Sequence, residues 1–226
     1  MRRLPIRVAG ILTAAALALS ACSTDSGDGG GAGESGDPIR VVASTNVYGN
    51  SVESIINRPS QDQHSYEATA RDKLAVSEAG VVVLNGGGYD SFMEALVQEE
   101  SVAPENVLNA VEISGLDEGH SEEEHEESGD GHAGHSHGGF NEHVWYDPHT
   151  VEHVAEAIAD ALTDLRPDDA AVFQDNLAGF ADGIEGLEAD LADLAAAHNG
   201  EGAFVTEPVA AYLAAAAGLV DRTPTA

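Results

Sequence analysis

The sequence predicts an open α/β fold that is extended by one long helix. Short apolar runs alternate with helical patterns through residues 39–113, as in parallel sheets with crossover helices. After Pro167, an apolar stripe keeps steps of three and four for about 30 residues, or roughly 45 Å at 1.5 Å per residue. A helix of that length exceeds one small lobe, which favours two lobes joined by a helix. A coiled-coil dimer is the alternative.

Apolar periodicity and chain breakers define the elements of the first half. We expect strands at 39–45, 81–84 and 107–113, and helices at 47–56, 69–79 and 89–98. Pro59 lies in a polar segment that is expected to end the first helix. Asn85 and three glycines follow the strand at 81–84, which suits a buried parallel strand with a loop at its carboxyl end.

The second half is predominantly helical. Asp147 and Pro148 supply a cap and a first-turn proline, and the helix that they begin is expected to run to Leu165. The stripe of the long helix consists of Phe173, Leu177, Phe180, Ile184, Leu187, Leu191 and Leu194. A strand at 203–206, a turn at Glu207 and a helix at 209–217 should follow. No pairing partner is expected for this last strand, so the second lobe is predicted to be incomplete.

Composition limits the classes of partner. The chain has 226 residues, enough for one domain or two small lobes, and a net charge of −31 with nine Lys and Arg. A nucleic-acid backbone needs basic residues to neutralise its phosphates, so this balance excludes nucleic acid as a partner. Cations are the expected partners instead.

The N-terminus has the organisation of a secretory signal. Three arginines precede an apolar segment at 8–19 that is too short to span a bilayer. The segment 19–22, Leu-Ser-Ala-Cys, resembles a bacterial lipobox, which would make Cys22 a lipidated N-terminus; an ordinary signal cut near Ala21 is the alternative. Residues 23–38, rich in Gly, Ser and Asp, would form a flexible tether. We therefore expect an extracytoplasmic protein that more than one acyl chain anchors to the membrane.

A His-rich acidic loop is expected at 115–139. Between Asp117 and His137 it has five of the ten histidines and eight acidic residues, but neither Lys nor Arg. The histidines are His120, His125, His132, His135 and His137. Such a segment cannot bury a core, yet it offers imidazole and carboxylate ligands at high local density. We interpret it as an accessory collector of transition-metal ions.

Three further side chains are candidate ligands of an ordered site. His64 lies in the loop after the first βα unit, His143 follows the His-rich loop, and Glu207 follows the late strand. Loops at the carboxyl ends of strands form the usual ligand crevice of an open α/β sheet. Two imidazoles and a carboxylate suit Zn²⁺ or Mn²⁺. Satisfied surface or core histidines are the alternative interpretation.

Six motifs that occur in one order connect these observations to a family. They are the lipobox and the segments Val41–Tyr48, Asp62–Glu67, Asn85–Asp90, Asn141–Tyr146 and Thr206–Pro208. Together they resemble the cluster A-I metal-binding lipoproteins, the zinc/manganese solute-binding component of ABC-type uptake systems, in an actinobacterial-type version. The likeness covers nearly all of residues 39–223.

The resemblance implies a two-lobed periplasmic-binding-protein-like fold with the metal between the lobes. The N-terminal lobe would be 39–165, the linking helix 166–198, and the start of the C-terminal lobe 199–226. The family's first three ligands map onto His64, His143 and Glu207, and its partner is an ABC-type permease. The chain departs from the family in a missing second strand before the first ligand loop, and in a fourth ligand and remaining lobe that would lie beyond Ala226.

Other functions remain as alternatives. The segment 149–153, His-Thr-Val-Glu-His, matches the inverted zinc-protease pattern, but it begins a helix and no further acidic ligand follows by pattern. A zinc buffer or chaperone that acts through the His-rich loop is a second alternative, and a truncated remnant without function is a third. We expect a monomeric, non-enzymatic protein that binds Zn²⁺, with Mn²⁺ as the alternative metal.

Overall fold

The structure is a computed structural model that describes residues 38–48, 53–58, 60–117 and 140–224. The predictions for the signal segment, Cys22 and the tether lie outside these residues. The five histidines of the His-rich loop also lie outside them. None of the described helices is both long enough and apolar enough to cross a membrane.

A four-stranded parallel sheet forms the centre of the fold. Its strands are β1 (Val41–Thr45), β2 (Glu53–Ile56), β3 (Val81–Leu84) and β4 (Val107–Asn109), in the order β2-β1-β3-β4. The helices are α1 (Ala70–Ser77), α2 (Ser91–Glu99), α3 (Ala110–Ser114), α4 (Pro148–Leu165), α5 (Ala170–His198) and α6 (Ala211–Ala216). A second sheet pairs β5 (Gly202–Ala203) with β6 (Val220–Asp221). The α/β class with a parallel sheet and a long helix is confirmed.

The central sheet is buried on both faces. Along β3, Val82 and Leu84 contribute to one core with α1 and α2, while Val81 and Val83 contribute to the other core with α3 and α4. Alternate residues of a strand point to opposite faces, so an uninterrupted apolar run is what a doubly covered strand requires. This explains why β3 matches its predicted bounds.

The predicted helix at 47–56 is wrong at its end. Residues Glu53–Ile56 form the edge strand β2, which pairs in parallel with β1 through Val42 with Glu53 and Thr45 with Ile56. Ile55 and Ile56 are buried in the core with α1 and α2, a β-branched pair that suits a pleated surface. The second strand that the family resemblance requires, and that we expected to be missing, is therefore present.

The strand predicted at 107–113 is also shorter than expected. It ends at Asn109, whose side-chain oxygen accepts from the backbone N–H groups of Val111 and Glu112. This is an N-cap, so the chain turns into the helix α3 at Ala110. The apolar residues Val111 and Ile113 therefore pack from a helix rather than from a strand.

The C-terminal segment contains a pairing that the sequence did not predict. β5 pairs in parallel with β6, with Gly202 beside Val220 and Ala203 beside Asp221. The expectation that the late strand has no partner is therefore wrong. The long helix α5 has 29 residues, and of its apolar stripe Leu191 is buried while Leu187 and Leu194 are 41% and 47% exposed.

Candidate metal centre

The candidate site lies at the carboxyl edge of the central sheet. Tyr48 follows β1, and Asn85 and Gly86 follow β3, so their backbones open onto the same edge. Gly86 has φ +77, and a Cβ there would lie 2.2 Å from the side-chain oxygen of Asn109. Glycine is therefore needed for this turn. After this turn, the Tyr89 ring lies next to the rings of both candidate histidines.

His64 is held in the loop between β2 and α1. Its backbone N–H donates to the Asp62 carboxylate at 3.1 Å, and the Ser65 hydroxyl donates to the same carboxylate at 2.8 Å. The His64 ring meets the Tyr89 ring edge to face at a centroid distance of 5.2 Å. Its Nε2 atom lies 4.0 Å from Oε1 of Glu142. These contacts place the imidazole of His64 beside the loop that carries His143.

His143 is oriented by its neighbour Asn141. The Asn141 side-chain oxygen lies 2.7 Å from Nδ1 of His143 and accepts from the His143 backbone N–H at 3.3 Å. Because that amide oxygen can only accept, the contact favours the tautomer with hydrogen on Nδ1. Nε2 of His143 is then the nitrogen with a lone pair for a ligand.

Aromatic rings surround His143. The Tyr89 ring lies 5.8 Å from the His143 ring, and the Trp145 ring lies 5.1 Å from it. Tyr89 and Trp145 also contact each other, at a centroid distance of 4.6 Å. Tyr89 thus contacts His64 on one side and His143 on the other, so it links the two histidines. These two large, stiff rings limit the rotamers that the imidazole of His143 can take.

A buried polar network holds the loop that carries His143 against the end of β3. The Asn85 amide donates to the backbone carbonyl of Glu142 at 2.9 Å, and the Tyr48 hydroxyl donates to the Asn85 side-chain oxygen. The Asp90 carboxylate accepts from the backbone N–H groups of Asn85 at 2.7 Å and Gly86 at 2.9 Å. Asn85 and Asp90 are fully buried. The buried amide of Asn85 thus ties the segment around His143 to the end of β3.

The electrostatics of the pocket favour a neutral imidazole at His143. Burial lowers the pKa of His143 below its ordinary value of 6.5, the Glu142 charge opposes this shift, and the His64 charge adds to it. Glu207 also raises the pKa of His143, less strongly. Burial and the neighbouring acids raise the pKa of Tyr89 to about 12, so its hydroxyl stays protonated near neutral pH. Only a neutral imidazole can bind a metal ion.

Glu207 lies in the segment that approaches this pocket from the C-terminal side. It precedes the short 3-10 helix Pro208–Ala210 and is exposed. The Asn141 amide donates to the Pro208 carbonyl at 3.0 Å, and the Tyr212 hydroxyl donates to the Asn141 carbonyl at 2.8 Å. The structure therefore brings the backbone next to Glu207 against the residue that orients His143.

The three predicted ligands share one region without forming a compact cluster. In the part of the chain that the structure describes, no group of three or more His, Cys, Asp or Glu side chains is arranged to hold a metal ion. His64 and His143 lie on either side of Tyr89, and the charge of Glu207 acts on His143. A metal ion would have to draw these side chains together, so their assignment as ligands stays a prediction.

Sequence reasoning missed two residues of this pocket. Asn141 and Glu142 are adjacent to His143, but the pattern gave no reason to assign them separate roles. A useful signal was available for Asn141, because an Asx side chain two residues before a histidine can accept from that backbone N–H. For Glu142 the sequence gave no such signal, because its neighbour His64 is 78 positions away in the chain.

The segment that matches the inverted zinc-protease pattern lies elsewhere, at the start of α4. Nδ1 of His149 lies 3.5 Å from Oε1 of Glu188 on α5, and the His149 side chain is 74% exposed. His153 is exposed as well, while Val154 is buried in the core that also contains Val83. The contacts of this segment are therefore those of a helix that packs its apolar face and exposes its polar face.

In the described residues, the fold is a four-stranded parallel α/β sheet followed by a 29-residue helix. The model of the family described as "ZnuA: Zinc-uptake complex component A periplasmic" matches residues 38–226. This match extends over most of the chain, so the chain belongs to the ZnuA family. The family resemblance inferred from the ordered motifs is confirmed.

Individual relatives are similar at lower identity. The manganese-binding lipoprotein MntA of Halalkalibacterium halodurans is 27% identical over 168 residues, which cover 70% of this chain and 50% of that protein. Zn(II)-bound AdcA from Streptococcus pneumoniae superposes with a TM-score of 0.61 at 17% identity, over 83% of this chain and 39% of that one. The periplasmic zinc-binding protein TroA from Treponema pallidum superposes with a TM-score of 0.58 at 20% identity, over 83% and 66%. The two structures establish the fold, and the chain spans about half the length of the curated relative.

Proposed function

We propose that this chain captures a divalent metal ion outside the cytoplasm and delivers it to an ABC-type importer. The observation that carries the proposal is the placement of two imidazoles against the same Tyr89 ring at the carboxyl edge of the sheet, with the Glu142 carboxylate 4.0 Å from His64. Membership of a family described by zinc uptake supports the same function. The metal ion is cargo, so binding and release are the whole of the chemistry and no covalent step is required.

His64, His143 and Glu207 are the proposed ligands. The imidazole of His143 is suited to this role because burial favours its neutral form and Asn141 leaves Nε2 available. Tyr89 and Trp145 would exclude water from the pocket, and a drier pocket strengthens the attraction between carboxylates and a cation. Asn141 bonds to Pro208, so the Glu207 segment is already attached to the His143 loop before metal arrives.

Zinc is the proposed cargo, and manganese is the alternative. Two imidazoles suit Zn²⁺, while a glutamate oxygen is a harder ligand that suits Mn²⁺. The family is described by zinc uptake and the curated relative by manganese binding, so the relatives support both ions. The histidines His120, His125, His132, His135 and His137 favour zinc, and we propose that they form an accessory collector.

The proposed setting follows the sequence predictions. Cys22 would anchor the protein to the outer side of the membrane, where it would work as a monomer with a permease. Residues 39–165 would form the N-terminal lobe, 166–198 the linking helix and 199–226 the beginning of a second lobe. These boundaries agree with the bounds of α4 and α5, which support the division.

The decisive experiment measures bound metal before and after two changes. Elemental analysis of the purified protein gives the metal identity, and competition titration against chelators gives the number of tight sites. We expect one tight site to survive deletion of residues 119–138 and to be lost in His143→Ala. Retention of tight binding in His143→Ala would overturn the proposed site.

A second candidate function is zinc buffering through the His-rich loop. The high local density of imidazole and carboxylate in residues 117–137 favours it. The same deletion separates the two functions: if all bound metal disappears with residues 119–138, the buffer explains the binding. The matched control is His153→Ala on the exposed side of α4, which should leave the tight site unchanged.

A further inference from the structure

Glu142 contributes a carboxylate to the candidate site, although it is not among the three predicted ligands. Its side chain is 16% exposed, so it is largely removed from water. In the described part of the chain, the ion pairs of Lys and Arg go to Glu78, Glu99 and Asp169, and none goes to Glu142. Burying a carboxylate is costly unless a cation or strong hydrogen-bond donors compensate it.

The backbone of Glu142 is fixed on two sides. Its carbonyl accepts from the buried Asn85 amide at 2.9 Å and from the Val144 backbone N–H at 2.8 Å. Asn85 is itself held at the end of β3 by Tyr48. A backbone anchored to the sheet limits where the side chain can reach, so the position of its carboxylate near His64 is a property of the fold.

The carboxylate lies at a separation from His64 that suits shared ligation. Ligands about 2.0–2.2 Å from one tetrahedral ion lie roughly 3.4 Å from each other. Oε1 of Glu142 is 4.0 Å from Nε2 of His64, so a side-chain rotation that brings these two atoms about 0.6 Å closer reaches the separation of two ligands of one ion. Through its charge, Glu142 also acts on His143, where it is the largest influence after burial.

We propose that Glu142 is a further metal ligand, in addition to His64, His143 and Glu207. The inference rests on the proposed function of this site and deepens it. Two neutral imidazoles with two carboxylates would make the site electrically neutral around a divalent cation. Two carboxylates among four ligands also provide hard oxygen donors, so the site accepts Mn²⁺ more readily than a site of three imidazoles would.

The test replaces the carboxylate by an amide of the same shape. In the full chain, Glu142→Gln is expected to weaken Zn²⁺ binding by more than about 100-fold in competition titration, beyond the 10–100-fold that loss of an outer-shell partner costs. Mn²⁺ affinity should fall by a larger factor than Zn²⁺ affinity. The visible absorption of one equivalent of Co²⁺ should change in position or intensity, because it reports the ligand set.

A matched control and a second variant keep the result interpretable. Glu188→Gln removes a carboxylate 3.5 Å from His149 on the helical surface, with the same charge change, and should alter neither affinity nor the Co²⁺ spectrum. Glu142→Asp keeps a carboxylate on a shorter side chain and should recover part of the affinity. Circular dichroism confirms that each variant folds.

The outcomes separate this inference from the proposed function. If His143→Ala abolishes the tight site while Glu142→Gln binds as the parent chain does, the ligand role of Glu142 is wrong and the site stands. A loss within 10–100-fold with an unchanged Co²⁺ spectrum makes Glu142 a neighbouring charge, which also overturns the ligand role. If His143→Ala leaves tight binding intact, the proposed site itself fails.

Discussion

The sheet region and the long-helix region both have apolar patterns in the sequence, but they bury their apolar residues to different degrees. In the sheet region, residues 38–165, Val42, Val82 and Met93 are fully buried. In residues 170–224, Leu191 and Ala217 are the hydrophobic side chains that the structure buries among those it describes. The sheet, however, has a covering layer on each face. Periodicity therefore predicts which face is apolar, whereas burial depends on what packs against that face.

The largest expected effect is a difference in stability between matched leucines. Leu96→Ala removes a side chain that is 1% exposed in the core with α1 and α2, and should lower the free energy of unfolding by about 2–5 kcal/mol. Leu194→Ala on α5, which is 47% exposed, should change it by about 0.5 kcal/mol or less. Urea denaturation followed by circular dichroism measures both.

Equal losses in the two variants would contradict the comparison. Such a result would mean that the apolar face of α5 is covered in solution, as in the coiled-coil dimer that its heptad-like spacing allows. Sedimentation equilibrium on the parent chain decides this point, because the proposed monomer has a mass of 23.3 kDa and the dimer twice that. An apparent mass that rises with protein concentration would contradict the predicted monomer and support the dimer.

The second expected effect concerns Asn141, the residue that joins the two regions. Asn141→Ala removes the acceptor at Nδ1 of His143 and the donor to the Pro208 carbonyl, and should weaken Zn²⁺ binding by about 10–100-fold. Asn141→Asp keeps the acceptor but not the donor, so it separates orientation of His143 from attachment of the Glu207 segment. Competition titration measures affinity, and ¹⁵N chemical shifts of the imidazole report the tautomer of His143.

Tyr212→Phe provides the control for Asn141. It removes the hydrogen bond to the Asn141 carbonyl and leaves the Asn141 side chain in place. We expect the tautomer of His143 to be unchanged in Tyr212→Phe and altered in Asn141→Ala. The same tautomer in all of these variants would show that Asn141 has no orienting role.

Local sequence signals were sufficient to predict the bounds of an element where its own residues determine them. The apolar run Val81–Leu84 and the Asp147-Pro148 helix start gave the bounds of β3 and α4 as the structure has them. Pairing between distant segments was not predictable in this way. The side chains of Glu53–Ile56 fit a helix or a strand, and parallel pairing with β1 decides for the strand. β6 has two residues, too few to leave a periodic signal.

The same distinction applies to the candidate site. His64 and His143 were recognisable because imidazole ligands belong to ordered motifs at strand ends. The approach of Glu142 to His64 depends on the sheet order, on the turn at Gly86 and on the amide of Asn85. None of these can be obtained from the spacing of residues. Sequence reasoning therefore identified candidate ligands, while the structure identified the side chains that orient and surround them.

The smallest expected effect is a pH dependence of stability that comes from His143. Burial lowers the pKa of His143 in the folded protein below the ordinary 6.5, so between these values the unfolded chain binds more protons than the folded one. Stability of the metal-free protein should therefore fall as pH decreases through 6.5, and level off below the folded pKa. The slope from this group should stay below about 1.4 kcal/mol per pH unit, because the imidazole is partly exposed. Urea denaturation in a chelating buffer from pH 8 to 5 measures it. We expect His143→Ala to reduce the slope; an equal slope in this variant and in the parent chain would show that the pocket does not hold His143 in its neutral form.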